Sequence, residues 1–375
     1  MKVNEQVKFC KDHSGFYAKV RERADHYFAS NGISRHADGL MIFKTVFFLG
    51  GTLSLYLLIL SDIFPVWAMF LMAIGLGVFS AFIGFNVCHD ALHGSYSGNS
   101  FVNIALGSVF HLLGANVYNW KISHNLVHHT FTNIHEHDDD LVVAPGLVSV
   151  CPQESPLPIQ RYQHYYAFLL YGMASLAWIF AKDYIKFFQD RIGCHATPSH
   201  PRIELFKLFF FKILYYGLVI VLPLLLIESI TWWQFVIGFV CMQMAKGFVL
   251  GLVFQLAHIV EGLEFPEPDT SGVMEDAWAA HQLRTTANFG IQSFFTHFFC
   301  GGLNMQVEHH LFPKVCHTHY PALSVIVKET AAEYGLPYHE NISFTTALGS
   351  HYRMLRKFGK EALADSQIRA KEFVV

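Results

Sequence analysis

Charge is what this chain has least of. Asp, Glu, Lys and Arg make up 15% of its 375 residues, where an average globular domain carries about a quarter. The net charge of −3 and a pI near 6.8 give no basic field of the kind that holds nucleic acid, so no nucleic-acid partner is expected. Cysteine is present but unpatterned. The seven (Cys10, Cys88, Cys151, Cys194, Cys241, Cys300 and Cys316) are scattered with no Cys-x-x-Cys pair. Such a set excludes a disulfide framework and reads as reduced thiols in apolar surroundings. Residues 1–40 are too polar for a cleavable signal peptide, and no internal repeat or low-complexity segment is visible.

What the chain has in excess is apolar surface and imidazole. Hydrophobic residues make up 53%, with 36 phenylalanines and 23 histidines, and the mean hydropathy is +0.32. From Lys44 to Asp90 the only charge is Asp62. That interval holds two spans of about 20 residues each, placed at 42–60 and 66–88 around a turn at Ser61–Pro65. A second apolar pair falls at 206–227 and 232–257, with Trp232 and Trp233 at the interface. The expected architecture is an all-α integral membrane protein: four transmembrane helices, both termini inside, and a cytoplasmic histidine-rich cap holding two metals. Lysine and arginine in residues 1–40, a cytoplasmic segment, set that orientation.

The remaining segments are expected at the membrane surface. The apolar-polar pattern around Phe16–Phe28 and the basic tail containing Arg353, Arg356, Lys357 and Lys360 suit interfacial helices, as does 164–190. Residues 101–119 lie between two histidine clusters. A re-entrant or interfacial helix there keeps both clusters on one side, which a full span would not. Lys212 is near enough to a span end to snorkel. Lys246 falls mid-span and needs a partner inside the bundle. The main domain is expected over 41–330, and 331–375 forms a cytoplasmic tail.

The histidines cluster three times. His89 and His93 are four apart; His124, His128 and His129 sit in six residues; His309 and His310 follow Gln306. Residues four apart share a helix face, so His124 and His128 are expected to point at one metal while His129 turns to a neighbour. His258 ends the fourth span on the same side. A lone histidine is usually a satisfied core or surface residue, but three clusters in one chain make a metal site. A tetrahedral site takes four ligands, so these eight imidazoles imply two ions. Gln306 is a weaker ligand or water holder. Asp90, Glu308 and Asp138–Asp140 are candidates to orient imidazoles through their free N–H. Spacing alone leaves iron, zinc and copper open, as well as desaturation, lipid hydroxylation, a zinc-dependent hydrolase or receptor, and metal transport.

His89-Asp-Ala-Leu-His93, His124-Asn-Leu-Val-His128-His129 and Gln306-Val-Glu-His309-His310, continued by Leu311-Phe312-Pro313, resemble the three histidine boxes of membrane fatty acid desaturases. The glutamine heading the third box resembles the front-end branch, which places double bonds on the carboxyl side of existing ones. His258 matches a further iron ligand of that family. The resemblance covers about residues 40–330 and implies two non-haem Fe ions, O2, two external electrons and an acyl-CoA or acyl-lipid substrate. It implies a cis double bond as product. Many eukaryotic front-end members carry a fused cytochrome b5 with a His-Pro-Gly-Gly motif, absent here. A separate ferredoxin or cytochrome b5 is therefore the expected donor, in a bacterial inner membrane rather than endoplasmic reticulum.

Overall fold

The computed structural model describes residues 7–141 and 143–364. Helix α1 is Phe16–Asn31. Four longer helices are apolar enough to cross a membrane: α2 Gly39–Leu60, α3 Val66–His93, and two more at Arg202–Leu226 and Trp232–His258. Their positions agree with the four expected spans. Only 17–33% of each apolar window is buried inside the protein. Val46, Leu53, Trp67, Ile213 and Leu225 point outward, an arrangement that lipid stabilises and water would not.

Each hairpin has a local reason to start where it does. The Asp38 carboxylate accepts from the Met41 N–H at the head of α2, and Pro65 precedes the first residue of α3. At the turn between them Asp62 adopts a left-handed conformation, φ 56°. Its carboxylate accepts from the Glu228 and Ser229 N–H groups at 2.9 and 3.0 Å. One side chain thus ties the two hairpin turns together at the end of the bundle remote from the histidines.

Helix α4, Ser100–Leu112, and α5, Val117–Phe131, meet at 110°. The bend returns the chain to the same end, as a re-entrant path requires. Segment 163–188, α6, runs as Gln163–Ala177, a wider turn, and Asp183–Phe188. Its exposed face is apolar (Leu169, Met173, Ile185), as an interfacial helix needs. It is also a close-packed partner of Trp232–His258, which becomes α8 after α7 (Arg202–Leu226). A Cβ on Gly247 would lie 2.3 Å from the Gly172 carbonyl oxygen, so glycine is what allows that approach.

Two expectations about lysine divide here. Lys246 donates to the Leu113 carbonyl at 2.9 Å, a partner inside the bundle. Lys212 does not snorkel. It is buried and pairs with Asp183 at 2.8 Å while donating to the Gly114 carbonyl. A carboxylate within reach outweighs the distance to the surface.

Beyond α8 the chain forms a cap: α9 Trp278–Thr285, α10 Phe294–Cys300, α11 Gln306–Leu311, α12 Tyr320–Glu333 and α13 Phe344–Arg356. Two short two-stranded pairings belong to it, Lys8–Cys10 with Val273–Ala277 and Ala287–Phe289 with His339–Asn341; a third, Arg191–Ile192 with His195–Ala196, lies between α6 and α7. Helix α1 does not lie its apolar stripe on a membrane. Phe16, Val20, Ala24 and Phe28, four apart, are buried, and they meet Leu283, Val307, Leu311, Leu323 and Val327 of the cap. Burying each of the Phe and Val side chains contributes about 1.5–3 kcal/mol. The basic segment differs from expectation in the same way. Met354 and Leu355 of α13 pack on Ala167 and Tyr171 of α6, and Arg353 pairs with Glu261 at 2.6 Å. Lys2 and residues 365–375 of the tail lie outside the described residues.

Candidate metal centre

Every candidate histidine arrives at one end of the bundle. His89 and His93 close α3, directly after a π-helical turn at Gly84–Cys88. His258 is the last residue of α8. His124 and His128 sit in a second π-helical stretch, Lys121–His128, and His129 follows it. His309 and His310 lie in the last turn of α11.

They form two groups. The ligand atoms of His89, His93, His124 and His309 lie within 4.8 Å of one another, and so do those of His128, His258 and His310. His129 lies between the groups. Its Nε2 is 3.3 Å from His124 Nε2, and its ring stacks on His310 at 4.4 Å. The expected pairing of His124 with His128 on one ion is not what the structure shows. A π-helical turn bonds i to i+5 and so aligns positions five apart. This brings His124 to His129 and sends His128 to the other group.

The tautomers follow from what each outer nitrogen touches. His128 Nδ1 donates to Asp138 at 2.9 Å and His124 Nδ1 to Asp140 at 3.3 Å. His310 Nδ1 donates to the Gln282 Oε1 at 2.7 Å. Those protons leave the Nε2 lone pairs facing inward. His124 Nε2 meets the Nε2 of both His89 and His129 at 3.3 Å. His93 Nε2, His128 Nε2 and His309 Nε2 are buried with no hydrogen-bond partner, as is Gln306 Oε1. Each such orphan costs about 1–3 kcal/mol. Burial, with neighbouring imidazoles adding to it, holds His309 and His310 well below the usual range, so both are neutral at neutral pH. Neutral, converging lone pairs without donors fit cations, and two groups fit two of them.

The other candidates divide. Gln306 enters the second group, with Nε2 at 2.9 Å from His258 Nε2 and 3.4 Å from His310 Nε2. A half-turn of the amide would present its orphaned oxygen at the same place. Asp138 and Asp140 of the acidic run do hold histidines, whereas Asp139 pairs with Lys186. Asp90 leans chiefly on His317, whose Nδ1 is 3.0 Å away; His89 Nδ1 is 3.9 Å away. Glu308 orients no imidazole. It accepts from Asn288 and the Tyr338 hydroxyl at 2.7 and 2.9 Å, and burial pushes its carboxyl up to about 7 against those two bonds.

The sequence reading missed Gln282, which receives His310, and Trp120, which stacks on His124 at 4.4 Å. No spacing rule reaches Gln282, whereas Trp120 is four residues before His124 and the same helix-face rule could have found it. It also gave no place to a cavity of about 540 Å³ lined by Tyr56, Trp67, Met69, Trp233 and Met242. That cavity lies beside the hairpin turns, at the opposite end from the histidines. A smaller one of about 20 Å³, touched by Gly84, Phe110 and Lys246, lies nearer them.

Comparison with known proteins resolves the chemistry that the geometry leaves open. The fatty acid desaturase family model matches residues 65–341. The chain belongs to the fatty acid desaturase family. It is 37% identical to a sn-1 linoleoyl-lipid 6-desaturase of Synechocystis sp., over 96% of this chain and 99% of that one. A protein of the same description from Arthrospira platensis is 32% identical over 92% of each. An acyl-lipid (8-3)-desaturase of Physcomitrium patens is 36% identical, covering 93% of this chain and 72% of its own. This desaturase is therefore a membrane oxidoreductase that introduces double bonds into fatty acyl chains. Hydrolase, receptor and transporter readings of the histidines give way to that finding.

Proposed function

We propose that the desaturase acts on an acyl chain carried by a membrane lipid and inserts a cis double bond on the carboxyl side of an existing one. The observation that carries this is Gln306, the head of the third histidine box, inside the second imidazole group. The lipid-linked substrates named for the relatives from Synechocystis and Physcomitrium support it.

His89, His93, His124 and His309 would hold one iron, and His128, His258 and His310 the other, with His129 between them and Gln306 as a weak ligand. When bound, the irons supply O2 chemistry that removes one hydrogen from each of two neighbouring methylenes, consuming O2, two electrons and two protons and releasing two waters. The chain's own part is positional. Asp138, Asp140 and Gln282 fix three imidazole tautomers. Trp120 and Phe254 wall the centre with apolar rings against His124 and His128, excluding water. Electrons come from a separate ferredoxin or cytochrome b5. The donor docks on the histidine face, which is the cytoplasmic face of a bacterial inner membrane.

Fatty-acid analysis of a host expressing the desaturase, with lipid and acyl-CoA fractions separated, tests this. A new double bond appearing first in the lipid fraction is expected, and none with the membrane-inserted His128→Ala variant. A hydroxylated chain, or product appearing first as acyl-CoA, would overturn the proposal.

A further inference from the structure

Outside the imidazole groups, two more sets of ligand-type side chains converge among the described residues: Asp90, Cys316 and His317, in which Asp90 already holds His317, and a second in the connection between α5 and α6. His135, Cys151 and Glu154 each bring a ligand atom to within 4.8 Å of the others. They come from the two limbs of the connection between α5 and α6. Cys151 is buried at 3% exposure, and its Sγ lies 3.1 Å from His135 Nδ1. Cys151 and Glu154 are three apart across a turn in which the Glu154 N–H donates to the Cys151 carbonyl. The Gln153 Oε1 between them is buried without a hydrogen-bond partner, while its Nε2 is fixed on the Phe265 carbonyl.

We propose that this is a third metal site, separate from the desaturation centre, that takes one zinc ion through the His135 imidazole, the Cys151 thiolate and the Glu154 carboxylate. The three ligand atoms are close enough to share an ion after a small adjustment. They lie within 4.8 Å of one another, and the 3.1 Å between Cys151 Sγ and His135 Nδ1 is a hydrogen-bond contact that would open to about 3.5 Å around a tetrahedral ion with ligands at about 2.0–2.3 Å. The chemistry selects the ion. The desaturation centre offers imidazole alone, whereas here a thiolate joins imidazole and carboxylate, and zinc exceeds ferrous iron in affinity for such a set. All seven cysteines are free thiols, so Cys151 is not consumed in a disulfide.

The site has a structural consequence. Cys151 lies 16 residues beyond His135, and Asp138 and Asp140 lie between them. Zinc would clamp the base of the very loop whose carboxylates hold His128 and His124. Binding requires loss of the thiol proton to solvent and no change in oxidation state.

The test uses the full chain, purified reduced, with zinc and iron per chain measured after equilibration with buffered zinc. The wild type should hold one zinc that Cys151→Ser lacks, at equal iron content. With cobalt(II) as the probe, the wild type should show a thiolate-to-cobalt charge-transfer band that Cys151→Ser does not. Should Cys151→Ser also lose iron, the near-isosteric Glu154→Gln decides: zinc affinity should fall about ten-fold or more at unchanged iron. No such zinc in the wild type, or equal zinc in the wild type and whichever variant keeps its iron, overturns the proposal. What would remain is a thiol–imidazole hydrogen bond.

Discussion

His128 and Asp138 meet at 2.9 Å, Nδ1 to Oδ2, with both side chains wholly buried. The same carboxylate accepts from the Asn133 N–H at 3.1 Å, so it is fixed before it receives the imidazole. This pair decides which nitrogen of His128 is free for a metal. A carboxylate on the outer nitrogen also raises the basicity of the inner one.

Asp138→Ala should therefore lower iron retention about 10–100-fold, the usual loss when such a partner is removed. Asp138→Asn keeps an oxygen that can accept from Nδ1 and should lose less. Iron per chain after graded chelation reads both. Equal retention in wild type and Asp138→Ala would show that His128 is oriented by something else.

Gln306→His should reduce desaturation several-fold while leaving the protein inserted. The side chain is buried at 1% exposure, and an imidazole is bulkier than the amide it replaces, so His258 and His310 must shift to admit it. The ratio of product to precursor in host lipids measures the effect. Unaltered turnover would remove Gln306 from the neighbourhood of the reaction.

Lys212→Met should destabilise the bundle by about 3–5 kcal/mol, because it leaves Asp183 a buried carboxylate without its cation. Asp183 also receives the Asn116 N–H and the Trp178 indole, and those bonds do not neutralise it. Adding Asp183→Asn should restore much of the loss. Thermal unfolding in detergent compares the three. A single variant as stable as the wild type would mean that the pair contributes little.

The spans were legible because length and hydropathy suffice for them: 66–88 and 232–257 fall on α3 and α8 with only their ends displaced. The eight histidines were legible because imidazole is rare in lipid-facing sequence and here recurs in clusters. Their division into two groups was not. Four-apart spacing implies a shared face only on an α-helix, and Lys121–His128 is π-helical. Amphipathic segments misled for a related reason. A stripe such as Phe16, Val20, Ala24 and Phe28 shows that a face is apolar, not whether lipid or protein covers it. Here the partner is cap residues such as Leu283 and Val327, hundreds of positions away and invisible to local pattern. Lys212 found Asp183 instead of the surface by the same kind of long-range contact.

The most direct test of the account is metal content of the purified desaturase beside its His128→Ala variant. Two converging imidazole groups predict about two irons per wild-type chain and at most one in the variant, with both proteins still membrane-inserted. Zinc in place of iron at those groups, or the same iron content in both proteins, would contradict it.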